Sequence, residues 1–106
     1  MRILLIDDLR DLRVLAPRYV GNQSYEGRTA RNYEDGVQAL QEGGWDLLLL
    51  DHDLGDPRQP EKTGYDIMVF LEENQELLPG KIACVSSNPV GRARINQVID
   101  KLYGTH

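Results

Sequence analysis

Three short stretches of the chain, residues 3–6, 47–50 and 82–85, are apolar without interruption, the pattern of strands covered on both faces. Residues 28–31 form a weaker strand candidate. Between them, apolar residues recur at helical spacing. Leu9, Leu12 and Leu15 predict a short helix that Pro17 ends, with a loop over residues 21–27 behind it. Asn32 with Asp35 three positions on is a capping pair, and Val37 and Leu40 stripe the next helix until Gly43 and Gly44 stop it. Thr63 with Asp66 repeats the cap, and Ile67, Phe70 and Leu71 mark the buried face of a third helix. Pro79 and Gly80 turn the chain into the last strand. Ile95, Val98, Ile99 and Leu102 then stripe a terminal helix expected to begin around Gly91.

Strands alternating with amphipathic helices predict an α/β fold, a short parallel sheet of about four strands flanked by helices, as a single domain over residues 1–106. In such sheets the C-terminal strand ends share one edge, and ligands bind there where the strand order reverses. Three polar segments are expected to meet at that edge: Asp7-Asp8, Asp51-His52-Asp53 and Ser86-Ser87-Asn88. The Gly-, Pro- and charge-rich segment 55–62 has the makeup of a lid over them.

Composition narrows the field. With 106 residues, 41% of them hydrophobic, the chain has material for one core that needs neither disulfide nor structural metal. Cys84 is the sole cysteine and lies in an apolar run, which predicts a buried thiol in a reducing compartment and no cysteine-based zinc site. Twelve basic against seventeen acidic residues give a net charge of −5, which disfavours bulk binding of DNA or RNA while leaving room for a local basic rim on one phosphate. The Met-Arg start is too short for a signal sequence and no apolar run approaches eighteen residues, so the expected location is cytoplasmic, away from membranes.

Acidic groups crowded at one sheet edge repel, and either protonation or a bound cation relieves them. Oxygen donors suit a hard divalent ion, magnesium or manganese, with Asp7, Asp8 and Asp51 as ligands. The plainer alternative is that Asp7 and Asp8 favour a helix start electrostatically. His52 is a candidate general acid with Asp53 orienting it, or else a histidine that only hydrogen-bonds backbone. His106, at the chain end, is given no role. Ser86, Ser87 and Asn88 precede a helix whose start attracts anions, where Gly91 permits close approach and Arg92 or Arg94 adds charge; alone, the same residues are ordinary turn and cap chemistry. No Walker-type glycine loop, dinucleotide fingerprint or serine-hydrolase elbow is present.

The succession Asp7-Asp8, Asp51 and Ser86 after successive strands resembles the receiver domains of two-component signalling. That resemblance implies Mg²⁺ on Asp7 and Asp8, a phosphoacceptor at Asp51 and a sensing hydroxyl at Ser86. A receiver continues to a fifth strand ending in lysine, whereas Lys101 here falls in the last predicted helix and Lys81 opens a strand at the opposite edge. A closer resemblance is to the cyclic-phosphate-processing receiver-like family. Its hallmarks are an Asp-His-Asp-Leu-Gly stretch, a Thr-Gly-Tyr-Asp helix start and a Ser-x-Asn-Pro-Val-Gly-Arg segment, found here at residues 51–55, 63–66 and 86–92. Members often carry a histidine directly before the first serine of the last segment, where this chain has Val85.

The resemblance implies a metal-dependent phosphoesterase-like domain that processes cyclic or terminal phosphates of nucleotides or RNA, with a small phosphorylated or cyclic nucleotide, or an RNA terminus, as partner. In that scheme His52, Asp53 and Ser86 act on the reacting groups while Ser87, Asn88, Gly91 and Arg92 hold phosphate oxygens. Val85 points to a second reading, a module that binds such phosphates without turnover. A phosphoacceptor receiver is the third. An acidic interaction protein with no site would explain the charge but none of the motif placement.

Overall fold

The computed structural model describes residues 1–104; His106 lies outside the described residues. Four strands, β1 (Arg2–Ile6), β2 (Glu26–Ala30), β3 (Leu47–Leu50) and β4 (Lys81–Cys84), form one sheet in the order β2-β1-β3-β4 with every pairing parallel. The helices are α1 (Leu12–Leu15), α2 (Pro17–Val20), α3 (Tyr33–Glu42), α4 (Gly64–Glu73) and α5 (Pro89–Tyr103), so the expected parallel α/β architecture is the one present. Among the described residues no helix is long and apolar enough to cross a membrane.

Both central strands are buried on both faces because their side chains alternate between two apolar clusters. Leu4, Ile6, Leu48 and Leu50 point into the larger cluster, with Ala39, Leu40, Ile67, Met68, Leu71 and Ile95 from α3, α4 and α5. Ile3, Leu5, Leu47 and Leu49 point the other way, onto Leu12, Leu15 and Ala16. Trp45 closes the larger cluster from the N-terminal side of β3, its indole N–H donating to the Ala39 carbonyl at 2.8 Å.

The structure corrects several local expectations. Leu9 is 84% exposed and outside any helix, because the Asp7 carboxylate accepts from the Leu9 and Arg10 amides and holds these residues in a turn; Asp11 then caps a helix that starts at Leu12. The first helix stops at Leu15 ahead of Pro17, as expected, but Pro17 also opens a second short helix, α2, at a first-turn position that has no use for a backbone N–H. β2 starts at Glu26, not in the predicted window from 28, because pairing of Arg2 with Glu26 draws the end of the expected loop into the sheet. Gly27 fits there since a Cβ would meet the Leu12 side chain at 2.6 Å. The terminal helix begins at Pro89, two residues before Gly91, with Asn88 as its cap. Met68, rather than the half-buried Phe70, completes the buried face of α4 with Ile67 and Leu71.

The N-terminus of α4 reaches the sheet edge through one close approach. The Gly64 amide donates to the His52 carbonyl at 2.8 Å, and a Cβ on Gly64 would lie 1.9 Å from the Asp51 carbonyl oxygen. That contact is with backbone, which cannot rotate away. Gly64→Ala is therefore expected to lower stability by about 3 kcal/mol, the upper part of the overpacking range, read as a lowered urea midpoint at unchanged m value.

Candidate functional site

The parallel ladder runs one residue past the strand ends. Ile6 pairs with Leu50, and beyond it the Asp51 amide donates to the Ile6 carbonyl at 2.9 Å while the Asp7 amide donates to the Ala30 carbonyl at 3.0 Å. Asp7 and Asp51 thus follow adjacent strands in register at the carboxyl edge. The reversal of strand order falls there too, since the chain passes from β1 to one side for β2 and to the other for β3. Ligand atoms of Asp7, Asp8 and Asp51 all lie within 4.8 Å of one another. Asp7 is fully buried and Asp51 is 4% exposed.

One guanidinium stands among these acids. Arg10 Nη1 lies 2.9 Å from Asp7 Oδ2 and 3.4 Å from Asp51 Oδ2. Those carboxylates keep the Arg10 guanidinium firmly charged, the hydrogen bond it donates to Asp7 contributing most. Nothing in the apolar spacing singled out Arg10, and its position two residues past an acidic pair was the only hint. Burial pushes the Asp51 carboxyl above its ordinary value, and the charge of Asp7 pushes the same way; Arg10, the Ser86 hydroxyl and the Asp53 amide pull it back in part. The Asp8 carboxylate accepts no hydrogen bond among the described residues and sits beside Gly55, whose φ of +63° and missing Cβ leave it room: a Cβ there would lie 2.7 Å from Asp8 Oδ2.

Above the acids opens a cleft of about 350 Å³ lined by Asp8, Leu9, Arg10, Asp51, Asp53 and Ser87, within the size range of small-molecule sites. The remaining expected residues lie around it. Ser86 is buried behind Asp51, and its Oγ also accepts the Asn88 amide at 3.0 Å. Asn88 Oδ1 takes the Gly91 amide at 3.1 Å, so both residues are spent on the helix cap rather than on the cleft. The space at Gly91 is taken by the His52 ring, since a Cβ would stand 2.2 Å from its Cγ. Arg92 reaches back to the Ser86 carbonyl at 3.4 Å, and Arg94 stacks over Tyr65 at 4.1 Å. His52 packs on α5, half-buried, with Nδ1 3.0 Å from Asp53 Oδ1, and does not line the cleft. Cys84 is buried, and burial pushes its thiol up, away from reactivity.

Comparison with known families assigns the arrangement. The model of the cyclic-phosphate processing receiver domain matches residues 2–101. The chain belongs to this family. Two solved structures are similar in fold. One is a response regulator from Burkholderia pseudomallei with a phosphorylated aspartic acid, a calcium ion and citrate, at 17% identity and a TM-score of 0.66 over 92% of this chain and 54% of that one. The other is a fusion carrying a trimeric coiled-coil segment of yeast Spc42, at 19% identity and a TM-score of 0.64, covering 92% of this chain and 61% of that one. The chain therefore spans little more than half the length of the structures it matches. No curated protein matches its sequence.

The donor set of this cyclic-phosphate processing receiver domain fits a divalent cation. Three carboxylates against the single guanidinium of Arg10 leave two negative charges uncompensated, and all three donors are oxygen. Without a cation, the strain is carried by Asp51. Its folded carboxyl titrates above 3.8, the ordinary value, so stability linked to it is full below that value and is lost as pH rises through the folded pKa. Asp51→Asn in EDTA is expected to melt higher than the unsubstituted protein at pH 7, with the gap closing as pH falls through the raised folded pKa of Asp51 and gone below about 3.8; a constant gap across pH would refute the assignment.

Proposed function

We propose that this domain holds a divalent cation on Asp7, Asp8 and Asp51 and acts as a metal-dependent phosphoesterase on a cyclic or terminal phosphate of a nucleotide or RNA. The observation that carries the reading is the doubly uncompensated trio of carboxylates at the floor of a small-molecule-sized cleft. Membership of the cyclic-phosphate processing receiver family supplies the substrate class. When bound, a divalent cation supplies charge stabilisation to phosphate oxygens and makes a water more acidic.

The protein's own residues divide the remaining work. Ser87 stands on the cleft wall with its hydroxyl free to donate to a non-bridging oxygen. Ser86, one residue earlier and buried, lies off the cleft wall, its hydroxyl near enough to Asp51 to favour the charged carboxylate. Asp53 lines the cleft with a largely exposed side chain and in this reading, rather than His52, takes the proton of an attacking water and returns it to the leaving oxygen. His52, bonded to Asp53 and seated on Gly91, acts behind it as a positioning residue. Leu9, exposed on the cleft lip, offers apolar surface to a base or ribose.

Val85 favours a second reading, capture of the phosphate without turnover. Its side chain packs into the smaller core cluster and brings no acid or base to the cleft. Hydrolysis of 2′,3′-cyclic nucleotides, monitored by chromatography, separates the two. The enzyme reading expects turnover abolished by EDTA, with Asp51→Asn and Asp53→Asn each slowing it about 10²-fold or more. Saturable calorimetric binding with no product selects the binding module, and a stable phosphoryl adduct on Asp51 after a small phosphodonor selects a phosphoacceptor receiver.

A further inference from the structure

We propose that Arg10 is an exchangeable counter-ion of the acidic site: its guanidinium bridges Asp7 and Asp51 when no divalent cation is present and, once displaced by one, swings into the cleft to grip phosphate. The inference rests on the metal reading above and assigns the site a phosphate clamp that also governs metal entry.

Three features support it. A single nitrogen, Nη1, lies against the same Asp7 and Asp51 carboxylates that the metal reading enlists. A cation of magnesium's size needs its oxygens at about 2.0–2.1 Å, and it would crowd and repel a guanidinium nitrogen that holds one of them at 2.9 Å. One positive charge must therefore yield to the other. The side chain alone has to move. The Arg10 backbone is pinned by its amide on Asp7 Oδ1 at 3.0 Å and by Arg31 Nη1 on its carbonyl at 2.7 Å; the same Arg31 nitrogen bonds the Asp7 carbonyl at 3.2 Å. Asp7 and Asp8 thus keep their places while the guanidinium leaves. Its destination is at hand, for the Arg10 side chain is 33% exposed and already lines the cleft, with Ser87 on the same wall. A guanidinium's planar fork suits two phosphate oxygens at once.

The signature is an effect of opposite sign on the two ligands, which a merely structural bridge would not produce. Calorimetry with Mn²⁺ alone is expected to show Arg10→Gln binding the ion about tenfold or more tighter than the unsubstituted protein, since a competing charge is gone. Inorganic phosphate titrated into Mg²⁺-loaded protein is expected to bind Arg10→Gln about tenfold or more weaker. Arg10→Lys keeps the charge without the fork and is expected to fall between on both measures; it carries the comparison if Arg10→Gln does not fold. Mn²⁺ affinity unchanged or weakened in the variants overturns the counter-ion role while leaving the metal site intact. Absence of Mn²⁺ uptake by the unsubstituted protein and both variants overturns the metal reading together with it.

Discussion

Two carboxylates at the ends of neighbouring parallel strands, Asp7 and Asp51, are held side by side almost out of reach of water. Charged groups in such a place are costly unless compensated, and the structure around them is largely an answer to that cost. The Leu9 and Arg10 amides solvate one oxygen of Asp7, the Arg10 guanidinium bridges both acids, and the Ser86 hydroxyl and Asp53 amide reach Asp51. The turn over residues 7–10, the delayed start of α1 and the exposure of Leu9 all follow from this one obligation. What remains uncompensated is charge of the sign and size that a dication removes.

Close packing makes the juxtaposition rigid. The central strands are buried on both faces by alternation of their leucines and isoleucines between two clusters, so their C-terminal ends cannot shift without disturbing both. Helices are brought near the edge by missing side chains. Gly64 lets the start of α4 touch the backbone of residues 51 and 52, and Gly91 lets α5 close over the His52 ring. These glycines serve tertiary contact. The motifs in which they sit, Thr63-Gly64-Tyr65-Asp66 and Asn88-Pro89-Val90-Gly91, are helix starts in which the cap and the close approach come together.

The division of labour at the edge differs from a simple convergence of polar residues. Ser86, Asn88, Gly91 and Arg92 form the scaffold at the start of α5, bonded to one another and to their own backbone. Asp8, Arg10, Asp51, Asp53 and Ser87 face the open space. The boundary passes between adjacent residues, with Ser87 and Asp53 lining the cleft while Ser86 and His52 do not.

Much was legible in the one-dimensional pattern. Uninterrupted apolar runs ending in acids specify buried parallel strands whose carboxyl ends carry polar groups, and capping pairs at Asn32 and Thr63 mark where helices α3 and α4 begin. These are local matters of hydrophobic burial and backbone hydrogen bonding, which neighbouring residues settle between themselves. Arg10 and the start of β2 escaped, because a guanidinium's partner 41 residues away and a strand's partner 24 residues away exist only after the chain has folded. Which serine meets the cleft, and whether a glycine admits a ligand or a histidine, were likewise decided by the register of the sheet and the approach of the helices. Distance in space, not order along the chain, sets both electrostatic coupling and steric room.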